Sequence, residues 1–188
     1  MSPNGQEIVI ETGRGDFTHN RFRSDLWLYR VADRELVPLT TSGHDSDPQW
    51  SPDGRWIAFL SDRAKHGEQV YVVSAQGGGA DLVTYAGAGG VHAYAWAPDS
   101  KTIYYASKIP LTEAQKKAHE AEWKDVIHYR ADLRADNLYE VEVPPASQFS
   151  TVPPTKSRED KLVAHTPRRV EQILVTPDGR TLVFNSCS

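Results

Sequence analysis

The feature that most constrains what this chain can fold into is a turn that recurs. Ser51-Pro52-Asp53-Gly54 reappears as Ala97-Pro98-Asp99-Ser100, as Thr176-Pro177-Asp178-Gly179 and, ahead of all of them, as Ser2-Pro3-Asn4-Gly5. From proline to proline the steps are 49, 46 and 79 residues. Pro at the second turn position presets φ, Asp tolerates the third, and Gly accepts the left-handed fourth, which together close a hairpin. Ser100 stands where the other copies have Gly, so the third turn is expected to be strained or looser.

The flanks of the turn align as well. Five positions after the proline come Ile8, Ile57, Ile103 and Leu182; seven after it come Ile10, Phe59, Tyr105 and Phe184. Trp50, Trp96 and Val175 stand two positions before it, with Met1 in the same place. A second strand follows in three copies, Leu26 to Tyr29, Val70 to Val73 and Leu138 to Val141. These runs are short, β-branched and aromatic, and apolar on both faces, as strands between stacked sheets must be. A last short strand ends at Leu39-Thr40, at Val83-Thr84 and at Val163-Ala164.

Four strands in about 45 residues is the period of a propeller blade. A β-sandwich with coincidental Pro-Asp-Gly turns would not align strands around four copies. The expected fold is therefore all-β, a partial β-propeller of about three to three and a half four-stranded blades. The spacing divides it at about 1–42, 43–86, 87–167 and 168–188. The first blade lacks its inner strand and the fourth offers two strands, thirteen in all. Met1 stands directly against a turn, with neither the basic nor the apolar region of a secretory signal. The chain thus reads as starting inside a repeat, which leaves both cytoplasm and periplasm open. Propellers close with four to eight blades, so an open arc is expected to self-associate through its bare edges.

The 79-residue step carries about 30 extra residues, between the second and third strands of the third blade. This insertion, about 110–135, reads as helical. Thr112 is an N-cap with Gln115 three positions on, and Pro110 blocks extension backward. A helix over about 112–130 follows, and a Pro-rich detour runs from Pro144 to Asp160.

Composition narrows the function. Twenty-one Lys and Arg against 25 Asp and Glu leave a net charge of −4, which argues against a nucleic-acid partner. No apolar run approaches the roughly 20 residues of a membrane span. Cys187 is the one cysteine in 188 residues, so neither an internal disulfide nor a cysteine zinc site is available. His44-Asp45-Ser46-Asp47 groups an imidazole with two carboxylates, but it reads as a polar connection between blades and not as a metal site. Gly77-Gly78-Gly79 and Gly87-Ala88-Gly89-Gly90 lack the strand-to-helix setting of a phosphate cradle and read as turns. No cofactor is expected.

The stretch from Asp47 to Phe59, DPQWSPDGRWIAF, resembles the WD-type repeat of TolB-like propellers. It is equally similar to the N-terminal propeller of the prolyl oligopeptidase family of serine peptidases, which includes acylaminoacyl and dipeptidyl peptidases. The insertion segment Glu122 to Arg130, EWKDVIHYR, is similar to propellers of bacterial members of that family. The resemblance implies a propeller that gates peptide access to a catalytic α/β-hydrolase domain, its expected partner, with peptides as substrates. The alternative it implies is a non-enzymatic, TolB-like protein-binding scaffold. No Gly-x-Ser-x-Gly elbow occurs in the sequence, so no catalytic residue is carried over and the chain alone is not expected to hydrolyse peptides. Acidic residues on a propeller insertion can hold a substrate's ammonium group in such relatives. That makes Glu120 and Glu122 binding candidates, with Arg130 at the end of the same helix; the competing reading is a solvated helix face.

Overall fold

The computed structural model describes residues 1–64, 67–86, 89–110, 112–114, 117, 135–144 and 160–186. Thirteen strands run through the described residues. They are β1 (Glu7–Asp16), β2 (Arg21–Arg30), β3 (Glu35–Pro38), β4 (Asp45–Trp50), β5 (Trp56–Ser61), β6 (Gln69–Ser74) and β7 (Asp81–Leu82). Beyond them lie β8 (Val91–Trp96), β9 (Thr102–Lys108), β10 (Asp136–Glu142), β11 (Lys161–His165), β12 (Val170–Val175) and β13 (Leu182–Ser186). They form four antiparallel meanders, β1-β2-β3, β4-β5-β6-β7, β8-β9-β10-β11 and β12-β13. This is the partial propeller that the repeats predict.

Side-chain alternation sorts each strand between two neighbours. In β5, Ile57 and Phe59 pack toward the first sheet with Leu26, Leu28, Tyr71 and Val73. Ala58 and Leu60 pack toward the third with Val70, Val72, Tyr94, Trp96, Ile103 and Tyr105. Ala93, Ala95, Ala106 and Leu138 meet Val170 and Ile173 of the fourth sheet. Successive strand residues point to opposite faces, so an inner blade is apolar on both sides. The core is thus three interfaces between stacked sheets.

The four turns share one hydrogen-bond pattern. Gly5, Gly54 and Gly179 adopt positive φ near 70° and donate back to the carbonyls of Ser2, Ser51 and Thr176. In each, the hydroxyl of the first residue donates to the Asn or Asp side chain of the third and accepts the N–H five residues on. Ala97 has no hydroxyl, and Asp99 compensates by accepting from Lys101 N, Thr102 N and Thr102 Oγ1. Ser100 holds φ at 58°, the strain expected of a residue with a Cβ. Its hydroxyl, however, accepts the Asp53 N–H of the neighbouring turn at 2.9 Å. Ser100→Ala keeps the strained backbone and loses this bond, so it is expected to cost about 1 kcal/mol. Ser100→Gly also loses the bond but relieves the strain, and should cost less; urea unfolding midpoints of both variants check the order.

A second repeated device lies where each meander hands over to the next. Asp25 Oδ1 accepts Gly43 N at 2.6 Å, Gln69 Oε1 accepts Ala86 N at 2.8 Å, and Asp136 Oδ2 accepts Val170 N at 2.6 Å. Gln69 and Asp136 are buried. Gln69 and Asp136, at the starts of β6 and β10, and Asp25, midway along β2, therefore hold the backbone that leads to the following blade. Buried threonines cap the outermost strands: Thr40, Thr84 and Thr166 accept the N–H groups of Leu26, Val70 and Asp136. The third outer strand runs on past Val163-Ala164 to His165, correcting the end read from sequence, because it is Thr166 that supplies this cap. Of the Pro-rich stretch from Pro144 to Asp160, residues 145–159 lie outside the described residues; the Asp160 carboxylate accepts the Tyr105 hydroxyl. Of the helix expected over 112–130, Glu113, Ala114 and Lys117 are described and helical. Glu120, Glu122 and Arg130 lie outside the described residues.

Candidate functional site

The inner strands β4, β8 and β12 share an irregularity. Each pairs with its neighbour through a bulge, between Ser46 and Gln49, between Val91 and Ala93, and between Val170 and Gln172. The residues caught in the bulges are Asp47 with Pro48, His92 and Glu171. A bulge re-aims a side chain and sharpens local twist, and in each of these inner strands it holds an ionisable residue. Asp47, His92 and Glu171 line one cavity of about 660 Å³, together with Gln49, Trp50, Trp96, Gln172 and Asn185. Asp47 carries positive φ, 48°, a conformation that few non-glycine residues accept.

Side chains hold the walls apart and in register. Gln49 Nε2 donates to the Tyr94 carbonyl at 3.2 Å, and Trp96 Nε1 donates to the Gln49 carbonyl at 3.3 Å. The Tyr94 hydroxyl sits within hydrogen-bond distance of the carbonyls of Asp47 and Ala58; burial pushes its pKa well up. His92 Nε2 lies 2.8 Å from Asp136 Oδ2, and the carboxylate that orients it is fully buried. His92 Nδ1 has no hydrogen-bond partner among the described residues. The pair thus orients an imidazole but presents no nucleophile to it.

Electrostatically the cavity is acidic. Burial raises the Asp47 carboxyl above the usual carboxylate range; a hydrogen bond from Gln49 opposes this and the nearby Glu11 adds to it. Outside the cavity lining, burial also raises Glu68, with Asp62 and Asp47 adding repulsion while His92 and Arg169 pull the other way. Such an arrangement favours cationic or hydrogen-bond-donating ligands. Asp45, next to Asp47, behaves oppositely. Burial would raise it, but hydrogen bonds from Thr40, Arg63, Ser42 and Ser61 together hold it below its ordinary value.

A carboxyl raised in the folded state adds stability at low pH and loses it as pH rises through the folded value. Asp47→Asn is therefore expected to stabilise the chain at pH 7, by roughly 0.5 kcal/mol or less because solvent screens the partly exposed group. The gain should vanish near pH 4, about the ordinary carboxylate pKa. Urea unfolding at the two pH values checks this, and a loss of stability at pH 7 would refute it.

The cluster His44-Asp45-Ser46-Asp47 does not converge. His44 Nδ1 meets Asp62 at 2.6 Å, Asp45 meets Arg63 Nη2 at 2.6 Å, and Asp47 lines the cavity. Among the described residues no three His, Cys, Asp or Glu side chains gather as metal ligands. No helix among those residues is long and apolar enough to cross a membrane. Sequence reasoning missed the Asp47, His92 and Glu171 set. The available signal was an ionisable residue five or six positions before Pro52, Pro98 and Pro177, within the inner strand.

Comparison with known proteins agrees with this architecture. The family model described as TolB beta propeller domain matches residues 1–123. The uncharacterized peptidase YuxL of Bacillus subtilis is 34% identical over 106 residues, which is 54% of this chain and 16% of the relative. The chain therefore spans about a sixth of that curated relative. The structure of TolB from Acinetobacter baumannii superposes with a TM-score of 0.65 at 14% identity, covering 100% of this chain and 37% of that one. Uncomplexed acylaminoacyl peptidase from Pyrococcus horikoshii superposes with a TM-score of 0.64 at 14% identity, covering 96% of this chain and 26% of that one. At such identities these two establish a common fold. With repeated turns, stacked four-stranded meanders and a family match over most of its length, this chain belongs to the TolB beta propeller domain family.

Proposed function

We propose that the chain is a propeller segment of a prolyl oligopeptidase-type serine peptidase and limits which peptides reach a catalytic α/β-hydrolase domain. The observation that carries this reading is the 34% identity to a peptidase across more than half of the chain. The blades divide at about 1–42, 43–86, 87–167 and 168–188, and Glu120, Glu122 and Arg130 of the insertion at about 110–135 are the candidates for binding the substrate. The acidic cavity rimmed by Asp47, His92 and Glu171 suits passage or retention of peptides bearing a free amine. The complete gene product is expected to cleave short aminoacyl and peptidyl chromogenic amides, to be labelled by a serine-directed phosphonate, and to discriminate against long polypeptides. An unlabelled, inactive product that instead captures a folded protein on its face would favour the TolB-like scaffold.

A further inference from the structure

The first hairpin is longer than its counterparts. β1 and β2 pair without interruption over ten residues each, from Glu7↔Arg30 to Asp16↔Arg21. β5 and β6 span six residues each. The hairpin is anchored through β2 as far as Arg23, opposite Arg14, since Ser24 N donates to Gly43 O and Arg23 packs against Gly43. Its tip is not: Phe17 and Phe22 are 97% and 87% exposed. β1 is the edge of its sheet. In the second blade the inner strand pairs only with Ile57 to Ser61, which the turn repeat aligns with Ile8 to Thr12. An inner strand of the same length would leave Gly13 to Asp16 as an open edge.

We propose that this arm pairs with the same arm of a second copy, antiparallel, about a two-fold axis at Gly15. That register sets Arg14 opposite the partner subunit's Asp16 and Asp16 opposite the partner subunit's Arg14. It also sets Phe17 opposite the partner subunit's Gly13. Opposite charges directly across a strand pair stabilise it and like charges oppose it. Within its own hairpin Arg14 faces Arg23, a like charge, and has no ion-pair partner among the described residues. The facing Asp16 carboxylate, which within its own chain also meets His19 at 2.9 Å and Arg21 at 3.6 Å, supplies the opposite charge. Glycines in a strand interior weaken it alone but admit close approach of a second backbone. A Cβ at Gly13 would meet nothing within 4 Å, and one at Gly15 would lie 3.4 Å from the Phe17 ring. The contact is isologous, as a two-fold interface must be, and small enough to be reversible.

Sedimentation velocity of the whole chain over a concentration series tests the pairing. Arg14→Asp and Asp16→Arg should each weaken dimerisation by about tenfold, because each converts both complementary pairs to like-charge pairs. The double variant should restore it. Gly15→Cys in a Cys187→Ser background should form an intermolecular disulfide under mild oxidation, at residue 15 alone, which keeps the test open if a charge variant folds poorly. A chain that stays monomeric overturns the proposal. So does association that survives both single reversals, which belongs to the open blade faces, or a double variant that fails to recover.

Discussion

Phe59→Ala is expected to lower unfolding free energy by roughly 3–5 kcal/mol. For a chain of this size each kcal/mol is worth about 2–4 °C in Tm, so the loss is on the order of 10 °C. Phe59 is 0% exposed at the interface between the first and second sheets. Its ring stacks on Tyr71 with centroids 6.0 Å apart, and the Arg63 guanidinium covers both rings at 5.3 and 4.6 Å. Truncation removes a transfer contribution, leaves a cavity between two sheets that cannot collapse independently, and strips the cation of one aromatic face. Phe59→Leu, which retains most of the volume, should cost clearly less. Calorimetry of the two variants decides the matter: a Phe59→Ala loss under about 1 kcal/mol would mean that the first blade does not stack on the second.

Asp136→Ala should be comparably severe, for a different reason. The carboxylate is 0% exposed and serves both His92 and the N–H of Val170. Removing one partner of a buried pair strands the other and costs roughly 3–5 kcal/mol. The fourth sheet loses its backbone tether at the same time. Replacing both partners by apolar groups of similar size, His92→Leu with Asp136→Leu, should cost much less than the sum of the single losses. A double-mutant cycle by urea unfolding measures the coupling. Additive losses would show that the two side chains act separately.

Most of the architecture was legible before the structure. The turn prolines and the apolar pairs after them locate the turn that leads into β1, β5, β9 and β13. The reason is local: Pro and Gly set φ within four residues, and strand alternation is read directly from neighbours. The functional set was much less legible. Nothing in sequence joins Asp47, His92 and Glu171, because a bulge has no residue signature of its own and appears only when two strands are paired. His44, Asp45 and Asp47 stand within four residues, read from sequence as a polar connection between blades, and alternation and the bulge send the three side chains to Asp62, Arg63 and the cavity.

Ser100 shows the same division on a single residue. Its sequence position alone determined the strain, since any residue with a Cβ pays for positive φ. Only the stacking of blades decided its compensation, through the Asp53 N–H forty-seven residues away. Likewise, a sequence determined by itself that blades of about 45 residues would repeat, because that period comes from turns and strands close along the chain. Which buried polar groups hold the blades together was decided by tertiary structure. Asp25, Gln69 and Asp136 find their N–H partners 17 to 34 residues downstream, and a separation of that length is closed by packing, not by any local preference.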